Sequence, residues 1–244
     1  TTLPQPSGFL LSFSALSAGL LCKFSLLVFS ARSLSQLLLP CYPSDMSAAD
    51  KGIDRDRIHA FPPILGPDPR VLILGSMPSV ESLRKGRYYG HPRNPFWPLI
   101  YRVLGEGAPP ESYEERVRLL EERGIAVWDV FAGCVRHGSL DQNIEDEICR
   151  DIGRMLSEYP TIRLVVLNGT RAEQGFWKGL RLYGWSDGRE LPAGLDVRVV
   201  RLPSTSPIPT RSFKTMEDKI EAWSVVAEYT RPRKTRAGGN GGER

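Results

Sequence analysis

Cysteine and histidine are scarce in this chain. Four cysteines (Cys22, Cys41, Cys134, Cys149) and three histidines (His59, His91, His137) are spread over 244 residues. No two cysteines form a CxxC pair and no histidine has a neighbour at metal-ligand spacing, which excludes a disulfide-built scaffold and the common zinc sites. A phosphate-binding P-loop, a nucleophile elbow and a metal-binding carboxylate cluster are also missing, which argues against nucleotide-hydrolysing and esterase chemistry. Long apolar runs are absent too. Phe9–Cys22 is 14 residues long and contains three serines, short for a bilayer span. We therefore expect no membrane association and a cytoplasmic location.

Charge is present but unevenly placed. The net charge is +4, and residues 230–244 alone carry five basic residues and one acid. Everything before that tail sums to about zero. The tail is rich in glycine and basic residues, the composition of a disordered segment suited to an anionic polymer or to solubility alone.

Residues 1–45 differ from the remainder. Lys23, Arg32 and Asp45 are their only charges, and Ser and Leu dominate. An export signal lacks its basic leader here, and an organelle transit peptide lacks its arginines. The composition changes at Met46, so the expected reading is an upstream extension with the native start at Met46. The expected organisation is thus 1–45 extension, 46–229 catalytic domain and 230–244 basic tail.

Four short apolar runs read as strands: Val71–Gly75, Ile125–Asp129, Leu164–Asn168 and Val197–Leu202. Their length and β-branched content suit strands buried on both faces. Helical stripes lie between them. Tyr113, Val117 and Leu120 form one; Ile144, Ile148, Ile152 and Met155 a second, with Ser139 and Gln142 as its capping box; Phe213, Met216, Ile220, Trp223 and Val226 a third. Alternation of this kind predicts a parallel sheet covered by right-handed crossovers.

Ligands bind such sheets beyond the carboxyl ends of the strands. Those ends read Gly75-Ser76-Met77-Pro78-Ser79, Asp129-Val130-Phe131, Asn168-Gly169-Thr170 and Pro203-Ser204-Thr205-Ser206-Pro207. Asp129 and Asp141 read here as a strand-end turn and a helix start. The densest segment is Tyr88-Tyr89-Gly90-His91-Pro92-Arg93-Asn94-Pro95-Phe96-Trp97, with four aromatics, a histidine, an arginine and an asparagine. A ring that stacks on a base and an amide that reads its edge are the elements of base recognition. Trp97 is expected to pack inward as a helix begins. Asn94 reads either as a site residue or as a cap, and Phe96 as core or platform. Arg84-Lys85-Gly86-Arg87 reads as a patch for phosphates.

GSMPS, YYGHPRNPFW, WDVFAGCVRHGSLDQNI, LNGT and LPSTSP follow one another in this order, and the set resembles the uracil-DNA glycosylase superfamily, most of all its hypoxanthine-DNA (deoxyinosine) glycosylase branch. The likeness covers roughly residues 60–228. It implies a three-layer α/β/α sandwich around a four-stranded parallel sheet. It also implies excision of deaminated bases from DNA, no cofactor and no metal. Many members carry Asp or Asn in the loop after the first strand to activate water. GSMPS has neither, as in the hypoxanthine branch, where catalysis is assigned to two asparagines. Those match Asn94 and Asn168, and the base-stacking aromatic matches Phe96.

The expected mechanism follows. A flipped base is stacked and its edge hydrogen-bonded while a positioned water attacks the sugar. Asn94 and Asn168 divide base binding and water positioning between them. Gly75, Ser76, Tyr89 and His91 are the further base-contacting candidates. Ser79, Arg93, Ser204, Thr205 and Ser206 are the DNA-contacting candidates, the last three through hydroxyls on phosphates. The absence of a well-placed lysine nucleophile predicts a monofunctional enzyme that leaves an abasic site, and nothing in the sequence suggests an obligate dimer, so a monomer is expected. Mismatch-directed uracil excision and non-catalytic DNA binding are the alternatives.

Overall fold

A computed structural model of the chain gives the structure, described here for residues 57–207 and 215–232. The expected extension 1–45 lies outside the described residues, as do Phe213 and most of the basic tail. Strand β1 (Arg57–His59) is followed by β2 (Val71–Gly75), α1 (Val80–Lys85), α2 (Phe96–Val103) and α3 (Tyr113–Glu122). Then come β3 (Ile125–Asp129), β4 (Phe131–Arg136), a 3-10 turn (Asp141–Asn143), β5 (Ile144–Cys149) and α4 (Ile152–Glu158). The chain continues through β6 (Leu164–Asn168), α5 (Thr170–Leu182), β7 (Arg198–Leu202), α6 (Met216–Trp223) and α7 (Val225–Tyr229).

The four expected strands form one parallel sheet in the order β3-β2-β6-β7. Val71, Leu72, Ile73 and Leu74 are fully buried, as are the apolar residues of β3 and β6. Burial on both faces is what a central parallel strand requires, and helices flank the sheet. Edge strand β7 departs from that pattern. Its Arg198 and Arg201 are exposed and its two valines half-buried, because only β6 pairs with it. The other edge, β3, is covered by Ile64, which exchanges two 2.9 Å backbone hydrogen bonds with Val127.

Register brings Gly75 opposite Asp129 and Asn168 opposite Leu202. The strand order reverses direction of travel between β2 and β6. Their carboxyl ends therefore flank the topological switch point, where open α/β sheets place their ligands.

A second sheet, antiparallel with order β1-β4-β5, was not legible in the sequence. It corrects the helix expected over residues 144–155. Ile144–Cys149 is a strand, and the helix starts only at Ile152, capped by Asp151 accepting from Arg154 N–H at 2.9 Å. Spacing of four serves a strand's period of two as well as a helix, so the isoleucines could not decide. Asp146 at φ 47° and two register shifts against β4 break the strand's regularity and leave Ile148 exposed. Ser139 does not cap the expected helix; its Oγ accepts from the N–H of Val80, the first residue of α1, at 3.0 Å. The last helix is likewise two, α6 and α7, parted at Ser224, and its capping box is Thr215 with Asp218.

Helix α5 lies against the β3–β4 junction through a glycine. A β-carbon on Gly175 would meet Val130 Cγ2 at 2.4 Å and Phe131 Cζ at 2.7 Å. Gly175→Ala should therefore overpack this contact and cost about 1–3 kcal/mol. Thermal unfolding should show a midpoint lowered by several degrees; an unchanged midpoint would mean the helix sits less tightly than described.

Candidate active site

The site is assembled at the carboxyl ends of β2 and β6. Asn168 closes β6, and its side-chain amide is held on three sides. Oδ1 accepts from Thr205 N–H at 2.9 Å. Nδ2 donates to Thr205 Oγ1 at 3.0 Å and to Tyr89 Oη at 3.1 Å. A backbone N–H can only donate, so the Thr205 bond fixes which end of the amide is oxygen. Both Nδ2 hydrogens are used, and Oδ1 keeps one lone pair.

Thr205 is buried, with 1% exposure. It orients Asn168 and cannot grip a phosphate, which corrects its expected role. The loop that carries it is fixed from behind. Lys219 Nζ donates to Ser204 O at 2.8 Å, and Trp223 Nε1 donates to Pro203 O at 3.0 Å. Ser204 Oγ accepts from Ser206 N–H at 3.1 Å. Gly169, at φ 96°, passes so close to Ser204 that a β-carbon would meet Ser204 Cβ at 2.9 Å.

Tyr89 and Phe96 lie face to face, with centroids 3.6 Å apart and planes 12° from parallel. Phe96 is fully buried and also meets Trp97 and Trp223 edge-on. A base has no access to its face while Tyr89 covers it. Tyr89, half-buried and at φ 52°, is the ring that fronts the site, and Phe96 backs it. A strained backbone at such a position is held by its surroundings. Burial and the nearby Asp129 charge push the Tyr89 hydroxyl above the ordinary range, so it stays protonated; the Asn168 hydrogen bond pulls the other way. Trp97 packs inward, 3% exposed, as expected.

The HPRN segment is a turn. Asn94 N–H donates to His91 O at 2.9 Å, and Arg93 N–H donates to His91 Nδ1 at 3.1 Å. Asn94 Oδ1 accepts from Phe96 N–H at 3.0 Å, ahead of α2. Both readings of Asn94 are thus compatible, since the cap uses the oxygen and leaves the Nδ2 hydrogens without a partner among the described residues. Arg93 is exposed and His91 half-buried.

The loop after β2 is less open than its composition suggests. Ser79 caps α1, accepting from Ser82 N–H at 3.2 Å, so its hydroxyl is already engaged. Arg84 and Lys85 both pair with Glu81, at 2.8 and 3.0 Å. Arg87 lies 3.7 Å from Glu114. The basic patch is largely neutralised. Ser76 Oγ donates to Asp141 Oδ1 at 2.7 Å. Beside Asp141, an open groove of about 480 Å³ runs past Thr170, Arg171 and Gln174. It flanks the Asn168 clamp without containing it.

Asp129 is the residue that sequence reasoning undervalued. It ends β3, is 4% exposed, and its Oδ2 is buried without a hydrogen-bond partner. A β-carbon on Gly75 would meet its Oδ1 at 2.6 Å, so a side chain there would displace the carboxyl. Loss of water around the carboxyl pushes its pKa up to about 7; Arg150 opposes this, Asp141 reinforces it, and Tyr88 and Arg136 oppose it. The signal available in sequence was only the WDV triplet at a strand end, which cannot reveal burial.

Among the described residues no group of three or more His, Cys, Asp or Glu is placed to hold a metal ion. No helix among them is long and apolar enough to cross a membrane.

An oriented amide and a stacked aromatic pair at the switch point of a parallel sheet are elements that suit recognition of a base. The family model of the uracil DNA glycosylase superfamily matches residues 62–227, and the chain belongs to that superfamily. The chain is 35% identical over 162 residues to a protein of Methanosarcina acetivorans named hypoxanthine DNA glycosylase, covering 66% of this chain and 94% of the relative. It is 38% identical over 112 residues to a protein of the same name from Methanosarcina barkeri, covering 46% and 71%. It is also similar to a solution NMR structure of a Methanosarcina acetivorans protein provisionally assigned as a uracil DNA glycosylase. There the TM-score is 0.57 at 33% identity, covering 71% of this chain and 98% of that one.

The burial of Asp129 has a measurable cost. Its folded pKa lies above the unfolded value, so the folded state holds a proton that the unfolded state has lost between about pH 4 and 7. Stability therefore falls as pH rises through that window. Asp129→Asn removes the effect. Its unfolding midpoint should match the unsubstituted chain at about pH 4 and below and exceed it at pH 8. An equal difference at both pH values would contradict the raised titration of this buried carboxyl.

Proposed function

We propose that this chain hydrolyses the N-glycosidic bond of deaminated bases in DNA, hypoxanthine foremost, and leaves an abasic site. The observation that carries the reading is the locked amide of Asn168. Thr205 fixes the orientation of the amide, and Oδ1 keeps one lone pair beyond that bond, which we take as the acceptor offered to the base. Adenine presents N1 as an acceptor on its Watson–Crick edge. Deamination to hypoxanthine turns N1 into an N–H donor. An enforced acceptor thus favours the deaminated base and leaves adenine's N1 facing a lone pair, a mismatch that polar sites reject strongly. Uracil also carries a ring N–H, so the amide admits both. The names carried by the two Methanosarcina relatives favour hypoxanthine.

The remaining parts follow from placement. The target nucleotide leaves the stack, at least cost from a damaged pair. Tyr89, backed by Phe96, is the platform for the base; its role replaces the one expected of Phe96. Base–aromatic stacking of this kind contributes about 1–3 kcal/mol. Asn94, with Oδ1 holding the start of α2, orients the attacking water. Arg93, Ser204 and Ser206 stand on the same rim as contacts to the DNA backbone. Lysines near the site are engaged, Lys85 with Glu81 and Gly90 O and Lys219 with Ser204 O. That supports a water nucleophile and a monofunctional reaction.

Base release from labelled duplexes carrying one deoxyinosine or one uracil tests this reading. Hypoxanthine release should dominate, without strand cleavage until the abasic site is treated with alkali. Asn168→Ala and Asn94→Ala should each lower release by about 10²-fold or more, the scale of removing one transition-state hydrogen bond, with the fold retained at the assay temperature although Asn168→Ala, which leaves Thr205 N–H unpaired, lowers the unfolding midpoint. Uracil-dominant release would overturn the substrate assignment. Full activity in both variants would overturn the site.

A further inference from the structure

The loop after β2, Gly75–Ser79, carries no carboxylate or amide, yet the fold brings a carboxyl to it from the neighbouring strand. β2 and β3 are paired in parallel so that Gly75 and Asp129 stand side by side at their carboxyl ends. Two backbone bonds stitch the junction beyond them to the loop: Val130 N–H to Gly75 O at 2.9 Å and Phe131 N–H to Ser76 O at 3.4 Å. Asp129 Oδ1 fills the notch left by the missing side chain of Gly75. The other oxygen is buried with no hydrogen-bond partner. Arg136 and Arg150 are also buried, and both favour the ionised carboxyl. Arg136 donates to Pro78 O, and Arg150 lies over the Trp128 ring at 4.3 Å and donates to Phe61 O at 3.3 Å.

A buried carboxyl with an idle oxygen is costly, and a fold with no use for it has cheaper alternatives in any apolar residue. We propose that Asp129 is a catalytic carboxyl of the glycosylase reaction, supplying from β3 the group that the Gly75–Ser79 loop lacks. The inference rests on the base-excision reading above. As the bond between C1′ and the base breaks, its electron pair leaves with the base and the sugar acquires positive charge. Ionised Asp129 stabilises that charge. Water attacks C1′, and its proton passes to the Asp129 carboxylate. The same proton then neutralises the departing base anion, so the carboxylate is regenerated and no further reactant is needed.

The groups facing this carboxyl are Arg150 and Arg136, which favour its ionised form, Asp141, which disfavours it, and the hydroxyl of Tyr88, which favours it. Together with burial they place its titration near pH 7, where a base is both available and strong enough to accept a proton.

The experiment is single-turnover release of hypoxanthine from a deoxyinosine duplex between pH 5.5 and 8.5, for the unsubstituted chain and for Asp129→Asn. The parent rate should rise about tenfold per pH unit below pH 7 and level off above it. Asp129→Asn should lose about 10²–10⁴-fold at pH 8 and lose the rising limb, while its affinity for the same duplex stays within about threefold. A purely structural carboxyl would leave the pH profile in place. An Asp129→Asn rate within about threefold of the parent, or the same rising limb in the variant, overturns the proposal. So does a flat profile in the parent, which needs no variant to fold. Base release by the parent with an active Asp129→Asn sinks this inference alone. No release by the parent at any pH sinks the function itself.

Discussion

Parallel pairing of β2 with both β3 and β6 is the constraint on which the rest depends. It sets the carboxyl ends of three strands at one rim: Gly75, Asp129 and Asn168. One contributes an empty notch, one a carboxyl and one an amide. Because the strands are buried on both faces, a register slip would expose apolar side chains and is strongly disfavoured. The same hydrophobic burial that stabilises the sheet therefore fixes the polar groups at its rim. The aromatic layer is organised from the same base. α2 starts at Phe96, Phe96 supports Tyr89, and the Tyr89 hydroxyl reaches back to Asn168.

The site illustrates how preorganisation is distributed. Few of its groups are held by the residue next to them in sequence. Asn168 is held by Thr205, 37 residues on; Ser76 bonds Asp141, 65 residues on. Each such tie removes side-chain freedom before any substrate arrives, which is where a large part of catalytic power resides. The cost appears as strain at Tyr89 and as an unpartnered oxygen at Asp129. Both occur within the site, where local violations of folding rules are expected.

Much of this was legible in the chain. The four apolar runs announced the parallel sheet, and the residues that follow them named the rim. Asn94 and Asn168 stood out as amides in turn-forming surroundings. Three features could not be read. The β1-β4-β5 sheet was hidden because isoleucines four apart satisfy strand and helix alike. The order of Tyr89 and Phe96 was hidden because composition tells which rings are present but not which one covers the other. The burial of Thr205 and Asp129 was not legible, because it is set by residues distant in sequence. A hydroxyl in a Ser-Thr-Ser loop looks exposed, and an aspartate at a strand end looks like a turn.

In the proposed reaction, base choice depends on the Asn168 acceptor, whose orientation is enforced by its neighbours. Single-turnover release from one duplex, with deoxyinosine or deoxyadenosine at the same position opposite thymine, measures that choice. Hypoxanthine should be released measurably and adenine slower by about 10⁴-fold, the discrimination expected when a buried polar group is left mispaired. Comparable release of the two bases would contradict that dependence.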